Sequence, residues 1–152
     1  MMKKYQMIIF ICLFYITQTS AVTVKEYSFE KLALDSPLIV RTKCSKIYFI
    51  TEAGIEKKVY TFTIQEIIKG THEKKSIEVK TLKTAEKLQL IPSIAIGDEA
   101  VIFFTETLKI KGLKQGYLKL TKDSKTNKMH ASYRDKTYTY ETLKEEITKF
   151  IK

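Results

Sequence analysis

Apolar and polar residues alternate along most of this chain, most sharply over residues 59–68. Tyr60, Phe62 and Ile64 fall on one side of an extended segment, and Thr61, Thr63 and Gln65 fall on the other. That two-residue period predicts a strand with one buried face. The phase slips where Ile67 and Ile68 are adjacent, which predicts a bulge or strong bend near Glu66. Lys69-Gly70 ends the strand. Upstream, Leu38, Val40, Ile47 and Phe49 mark a strand over residues 38–50, bent near Cys44-Ser45-Lys46, and Ala53-Gly54 marks a turn. Downstream, Ile77 and Val79 oppose Glu78 and Lys80 in a strand over residues 77–82. Residues 83–93 show no period and end near Pro92, and Gly97-Asp98-Glu99 reads as a turn. Residues 100–104 (AVIFF) are apolar on both sides, the mark of a central strand whose second face is covered by a helix. Gly112 and Gly116 bracket a loop before Leu118 and Leu120, and a polar turn over 123–128 precedes a short strand over 129–133.

Two segments have helical spacing instead. Ser28 caps a short helix with Phe29, Leu32 and Ala33 on one face, stopped by Pro37. Near the C-terminus, Thr142 and Glu145 fit a capping box, and Leu143, Ile147 and Phe150 or Ile151 recur on one face. This helix, over 142–151, is the cover that the strand over 100–104 needs. The strand connections are too short for helical crossovers, so the pairing is antiparallel and the sheet is a small barrel or curled sheet of five to six strands.

The first residues do not belong to that domain. Lys3 and Lys4, the ten-residue apolar run of residues 7–16, and a polar stretch ending at Ala21 have the order of a secretory signal peptide. A membrane-spanning helix needs about 20 apolar residues, which the run does not reach. Residues 1–21 are therefore expected to be a cleaved signal, residues 22–152 a single exported domain, periplasmic or secreted. No transmembrane segment is expected after cleavage. Without its leader, which carries Cys12, the domain holds one cysteine, Cys44, and so no internal disulfide. Cys44 is either buried and inert or free to bond between molecules.

Charge adds one candidate surface. The whole chain carries a formal net charge of +10. Residues 106–137 hold eight Lys and Arg134 against Glu106, Asp123 and Asp135, a local net of +6. If Lys109, Lys111, Lys114, Lys119 and Arg134 lie together, they form a positive surface for an acidic partner, either an exported or cell-surface protein or a polyanion. All basic residues but Arg41 and Arg134 are lysine, which equally suits a merely solvated face. Tyr117, Tyr133, Tyr138 and Tyr140 share a segment with many lysines, as stacking platforms or as ordinary half-buried strand residues.

Signs of catalysis are sparse. The sequence has no Gly-x-Ser-x-Gly, His-Glu-x-x-His, Cys-x-x-Cys or phosphate-cradling Gly-rich loop. His72 and His130 sit in hydrophilic stretches, and Asp98-Glu99 reads as turn-forming rather than acid–base. No catalytic residue, metal site or cofactor is expected.

The order of segments carries a resemblance. Phe29-Glu30-Lys31-Leu32 leads to Ser36-Pro37-Leu38-Ile39-Val40. The strand from Val59 to Lys69-Gly70, the Ile77-Glu78-Val79-Lys80 strand, Gly97-Asp98-Glu99 before Phe103-Phe104, and Gly112 to Gly116-Tyr117-Leu118 follow. This order resembles a family of uncharacterised exported bacterial proteins and is distantly similar to the netrin-like and metalloproteinase-inhibitor domains. The resemblance implies an OB-like β-barrel, to which the periodicity adds the short N-terminal helix and the C-terminal amphipathic helix. Those inhibitors act through an N-terminal Cys and several disulfides. Residues 22–152 offer neither, so that mechanism does not carry over. The expected function is an exported, non-enzymatic binding module, with an unrecognised secreted enzyme or enzyme inhibitor as the alternative.

Overall fold

In the computed structural model, which describes residues 25–151, the alternating segments form one antiparallel sheet with two helices. The expected signal peptide lies outside the described residues. The elements are α1 (Phe29–Asp35), β1 (Leu38–Glu52), β2 (Ile55–Lys69), β3 (Ser76–Leu82), β4 (Glu99–Phe104), a 3-10 turn (Leu113–Gly116), β5 (Tyr117–Lys122), β6 (Met129–Tyr133), β7 (Lys136–Thr139) and α2 (Tyr140–Ile151). The sheet order is β3-β2-β1-β4-β5-β6-β7. It has seven strands, not five or six, and it is open, since β3 and β7 lie at opposite edges. The physical reason is the β6–β7 hairpin. β5 passes to β6 at Thr121 and Lys122, and β7, whose polar sequence KTYT hides it, extends the sheet away from β3.

The expected bends are present. Along the β1–β2 pair, Val40 faces Ile67 after Ile39 faces Lys69, skipping Ile68. Thr42 faces Ile64 after Arg41 faces Glu66, skipping Gln65. Cys44 faces Phe62 and Lys46 faces Thr61, skipping Ser45. Two bulges thus flank Glu66 and one sits at Ser45, each adding local bend and twist. The hairpin turns at Ala53 and Gly54, both left-handed (φ 50° and 76°), as a two-residue turn matched to strand twist requires.

Both faces of the sheet are covered. On one, Val40, Cys44, Tyr60, Phe62, Ile77, Ala100, Ile102 and Phe104 pack against Ala85, Ile91 and Ile94 from the irregular segment after β3. On the other, Ile39, Val101, Phe103, Leu118 and Leu120 pack under Leu32 and Ala33 of α1 and Leu143 and Ile147 of α2. That double burial is why β4 is apolar throughout. Ser28 caps α1, its Oγ accepting from the Lys31 N–H at 3.1 Å. The cap of α2 is not the expected Thr142. Thr139 Oγ1 accepts the Thr142 N–H at 3.2 Å, so the helix begins two residues earlier and Thr142 lies in its first turn. No helix among the described residues is long and apolar enough to cross a membrane.

A polar network also fastens α2 to the sheet. The Arg41 guanidinium sits 4.6 Å from the Tyr140 ring centroid and donates to Glu99 at 2.8 Å. Tyr140 Oη and Lys144 Nζ both donate to Glu66. The hydrogen bond from Lys144, then that from Tyr140, holds the Glu66 carboxyl below its ordinary range. A depressed pKa gives stability that is complete above the unfolded value, about 4.3, and lost as pH falls through the folded one. Glu66→Gln should therefore be less stable than wild type at neutral pH, and the gap should close on acidification. Urea unfolding at a series of pH values checks this. A gap independent of pH contradicts it.

Candidate functional site

Three connecting segments and the N-terminal extension of the described residues meet in an open groove of about 680 Å3. The segment after β3 supplies Leu88, Gln89 and Leu90. The 3-10 turn before β5 supplies Leu113, Lys114 and Gln115. The β6–β7 turn supplies Arg134, and Glu26 lies at the rim. These parts are bonded together. The Lys114 N–H donates to Leu90 O at 3.1 Å. Gln115 Oε1 accepts from the Tyr27 N–H at 2.8 Å while its Nε2 donates to Lys25 O at 2.9 Å. Tyr133 Oη and Arg134 both donate to Tyr27 O, at 2.6 and 2.8 Å.

The groove is built from unusual backbone. Six non-glycine described residues have left-handed φ, and three of them, Gln89, Leu113 and Arg134, line it. Non-glycine residues rarely adopt this conformation, and such strain concentrates at functional sites. The lining also leaves apolar surface in water, with Leu88 63% and Leu113 37% exposed. Leucine side chains beside Lys114 and Arg134 suit a ligand that is apolar and anionic at once. Glu26 is 3.5 Å from Arg134, but its side chain is 83% exposed, so the pair is weak and the cation stays available.

Of the five basic residues expected to gather, Lys114 and Arg134 line the groove. Lys111 lines a separate pocket with Asp35 and Pro37, donating to Asp35 O at 3.4 Å, and its Nζ lies 5.6 Å from the Tyr27 ring centroid, with Lys25 at 5.7 Å from the same ring. Lys119 is paired with Asp98 at 2.9 Å. Lys109 sits in the tight turn after β4, where its N–H donates to Thr105 Oγ1. The sequence did not flag Leu88 or Leu113 as site residues. Leucines in an aperiodic stretch and in a glycine-bracketed loop carry no signal of their own.

The tyrosines are structural. Tyr117, Tyr133 and Tyr140 are buried, and Tyr138 stacks on Phe29 with centroids 5.8 Å apart. They do not form an exposed stacking platform. Cys44 is fully buried and in no disulfide, its thiol donating to Lys46 O at 3.9 Å. Burial is the main cause that pushes its thiol pKa up, away from the reactive thiolate. Asp98 shapes the turn, accepting from the Ala95 N–H at 2.9 Å, and Glu99 pairs with Arg41. Among the described residues, no three His, Cys, Asp or Glu side chains gather as a metal would require.

No protein-family model matches the chain, and no curated protein matches it. The fold and groove therefore define a class: a mainly β domain with an open antiparallel sheet, two helices on one face, and a leucine-lined, cation-rimmed groove between connecting loops.

Proposed function

We propose that this protein is an exported, non-enzymatic binding module whose groove takes an acidic, partly apolar segment of an exported or cell-surface protein. The observation that carries this reading is the convergence of exposed Leu88 and Leu113 with Lys114 and Arg134 in a groove that includes three left-handed backbone positions, Gln89, Leu113 and Arg134. Apolar contact holds the segment and the cations select its carboxylates. The signal-like order of residues 3–21 supports export. Five strands in the order β3-β2-β1-β4-β5, bent by three bulges, support a partly open OB-like barrel lengthened by the β6–β7 hairpin.

A peptide of mixed Glu and Leu residues, titrated by fluorescence, tests the reading. Replacing both Lys114 and Arg134 by Gln should weaken binding by about three- to thirtyfold, the sum expected of two exposed charge contacts. Leu88→Ala with Leu113→Ala should weaken it as well. Added salt should weaken the wild type more than the charge variant. Peptide binding unchanged by both pairs of substitutions contradicts the proposal. Heparin bound tightly, with no dependence on the leucines, points to a polyanion instead.

A further inference from the structure

We propose that β3 is a self-pairing edge, through which two copies of this chain join their sheets about a two-fold axis at Val79. This surface is separate from the groove described above.

β3 begins the sheet order, and among the described residues no strand pairs with its outer side. Two flanking backbone bonds fix which of its groups are free. The Ile64 N–H donates to Lys75 O at 2.9 Å, and the Lys83 N–H to Glu56 O at 3.3 Å. The register pairs Ser76 with Thr63 and Leu82 with Lys57. In an antiparallel ladder, hydrogen-bonded positions alternate, so Ile77, Val79 and Thr81 bond to β2, and Ser76, Glu78, Lys80 and Leu82 turn their backbone groups outward. Two of those outward carbonyls are already occupied: Leu82 O accepts from the Ala85 N–H, and Ser76 O lies 3.4 Å from His72 Nε2. The N–H and C=O groups of Glu78 and Lys80 remain, forming a short template for another strand.

The sequence of this edge is complementary to itself. In an antiparallel pair centred on Val79, Glu78 faces the partner's Lys80, Lys80 faces the partner's Glu78, and Ile77 faces the partner's Thr81. Opposite charges meet twice, at the positions whose backbone groups are free. Centring the pair on Glu78 or on Lys80 instead sets like charges opposite each other, which is unfavourable. Both side chains are exposed and need not be taken out of water. Within one chain Glu78 accepts from Tyr48 and Lys80 donates to Glu52, exposed contacts that a facing charge can share. Charged edge strands usually block association. Here the Glu-Val-Lys order blocks most registers and favours one. Two seven-residue strands bury less than a standard interface, so the dimer is weak and concentration-dependent.

Sedimentation equilibrium of the purified protein up to millimolar concentration should show a monomer–dimer equilibrium that weakens with added salt. Glu78→Lys and Lys80→Glu should each raise the dimer dissociation constant by about tenfold, and the double exchange should restore it to within about threefold of wild type. Lys80→Pro removes an outward N–H without touching the β2 ladder. It should abolish the dimer while circular dichroism shows the sheet intact. A monomer at every concentration overturns the proposal. So does a dimer indifferent to the single exchanges, or one that the double exchange fails to restore.

Discussion

Ile147→Ala should destabilise the protein by about 2–5 kcal/mol, the range for large-to-small changes in a core that cannot collapse around the gap. Ile147 and Leu143 are fully buried, in one cluster with Val101 and Phe103 of β4 and Leu32 of α1. The helix is thus the lid of a second core, and truncation at its centre exposes a cavity to side chains fixed by both the sheet and α1. Thermal melts should show a drop of several degrees or more. Ile151, at the end of the same helix and 37% exposed, is the control. Ile151→Ala should change stability by less than about 1 kcal/mol. Equal melting temperatures for the two variants would place α2 outside the cooperative core.

Gly70→Ala should be comparably damaging, by a different mechanism. Gly70 follows β2 with φ +82°, a conformation that disfavours any side chain. A Cβ there would stand 2.2 Å from Pro37 O and 3.3 Å from Leu38 Cα, so the clash is with backbone that leads directly into β1. Left-handed strain of about 1–2 kcal/mol and overpacking of about 1–3 kcal/mol together give roughly 2–5 kcal/mol. Gly54, in the β1–β2 turn, separates the two contributions. Its φ is +76°, but a Cβ added there would meet nothing within 4 Å, so Gly54→Ala should show the strain alone. Denaturant midpoints decide between them, and equal losses at the two glycines would contradict the close approach at Gly70.

Where the sequence was informative, the reason is periodicity imposed by burial. β2 shows its two-residue alternation because Tyr60 and Phe62 lie in one core and Thr61 and Thr63 do not. The break at Ile67-Ile68 is visible because each bulge moves the next side chain to the other face. β4 was legible as a central strand because Val101 and Phe103 serve one core and Ile102 and Phe104 the other. β7 left no trace, because an edge strand of four residues, none fully buried, imposes no pattern. Without it the sheet looks closable. The site was half legible. Lys114 and Arg134 were visible as charge, but their separation from Lys109, Lys111 and Lys119 depends on which strand and turn each occupies. Leu88 sits in a segment held by tertiary bonds such as Lys114 N–H to Leu90 O, and such bonds have no local signature.

The groove is tested most directly by two-dimensional amide NMR of the labelled protein, titrated with the Glu–Leu peptide. The expected result is saturable shifts at residues 88–90, 113–115 and 134, with the amides of β3 and of the β1–β2 turn unmoved. Shifts centred elsewhere on the sheet, or none at all at peptide concentrations in the millimolar range, would contradict a binding groove between these loops.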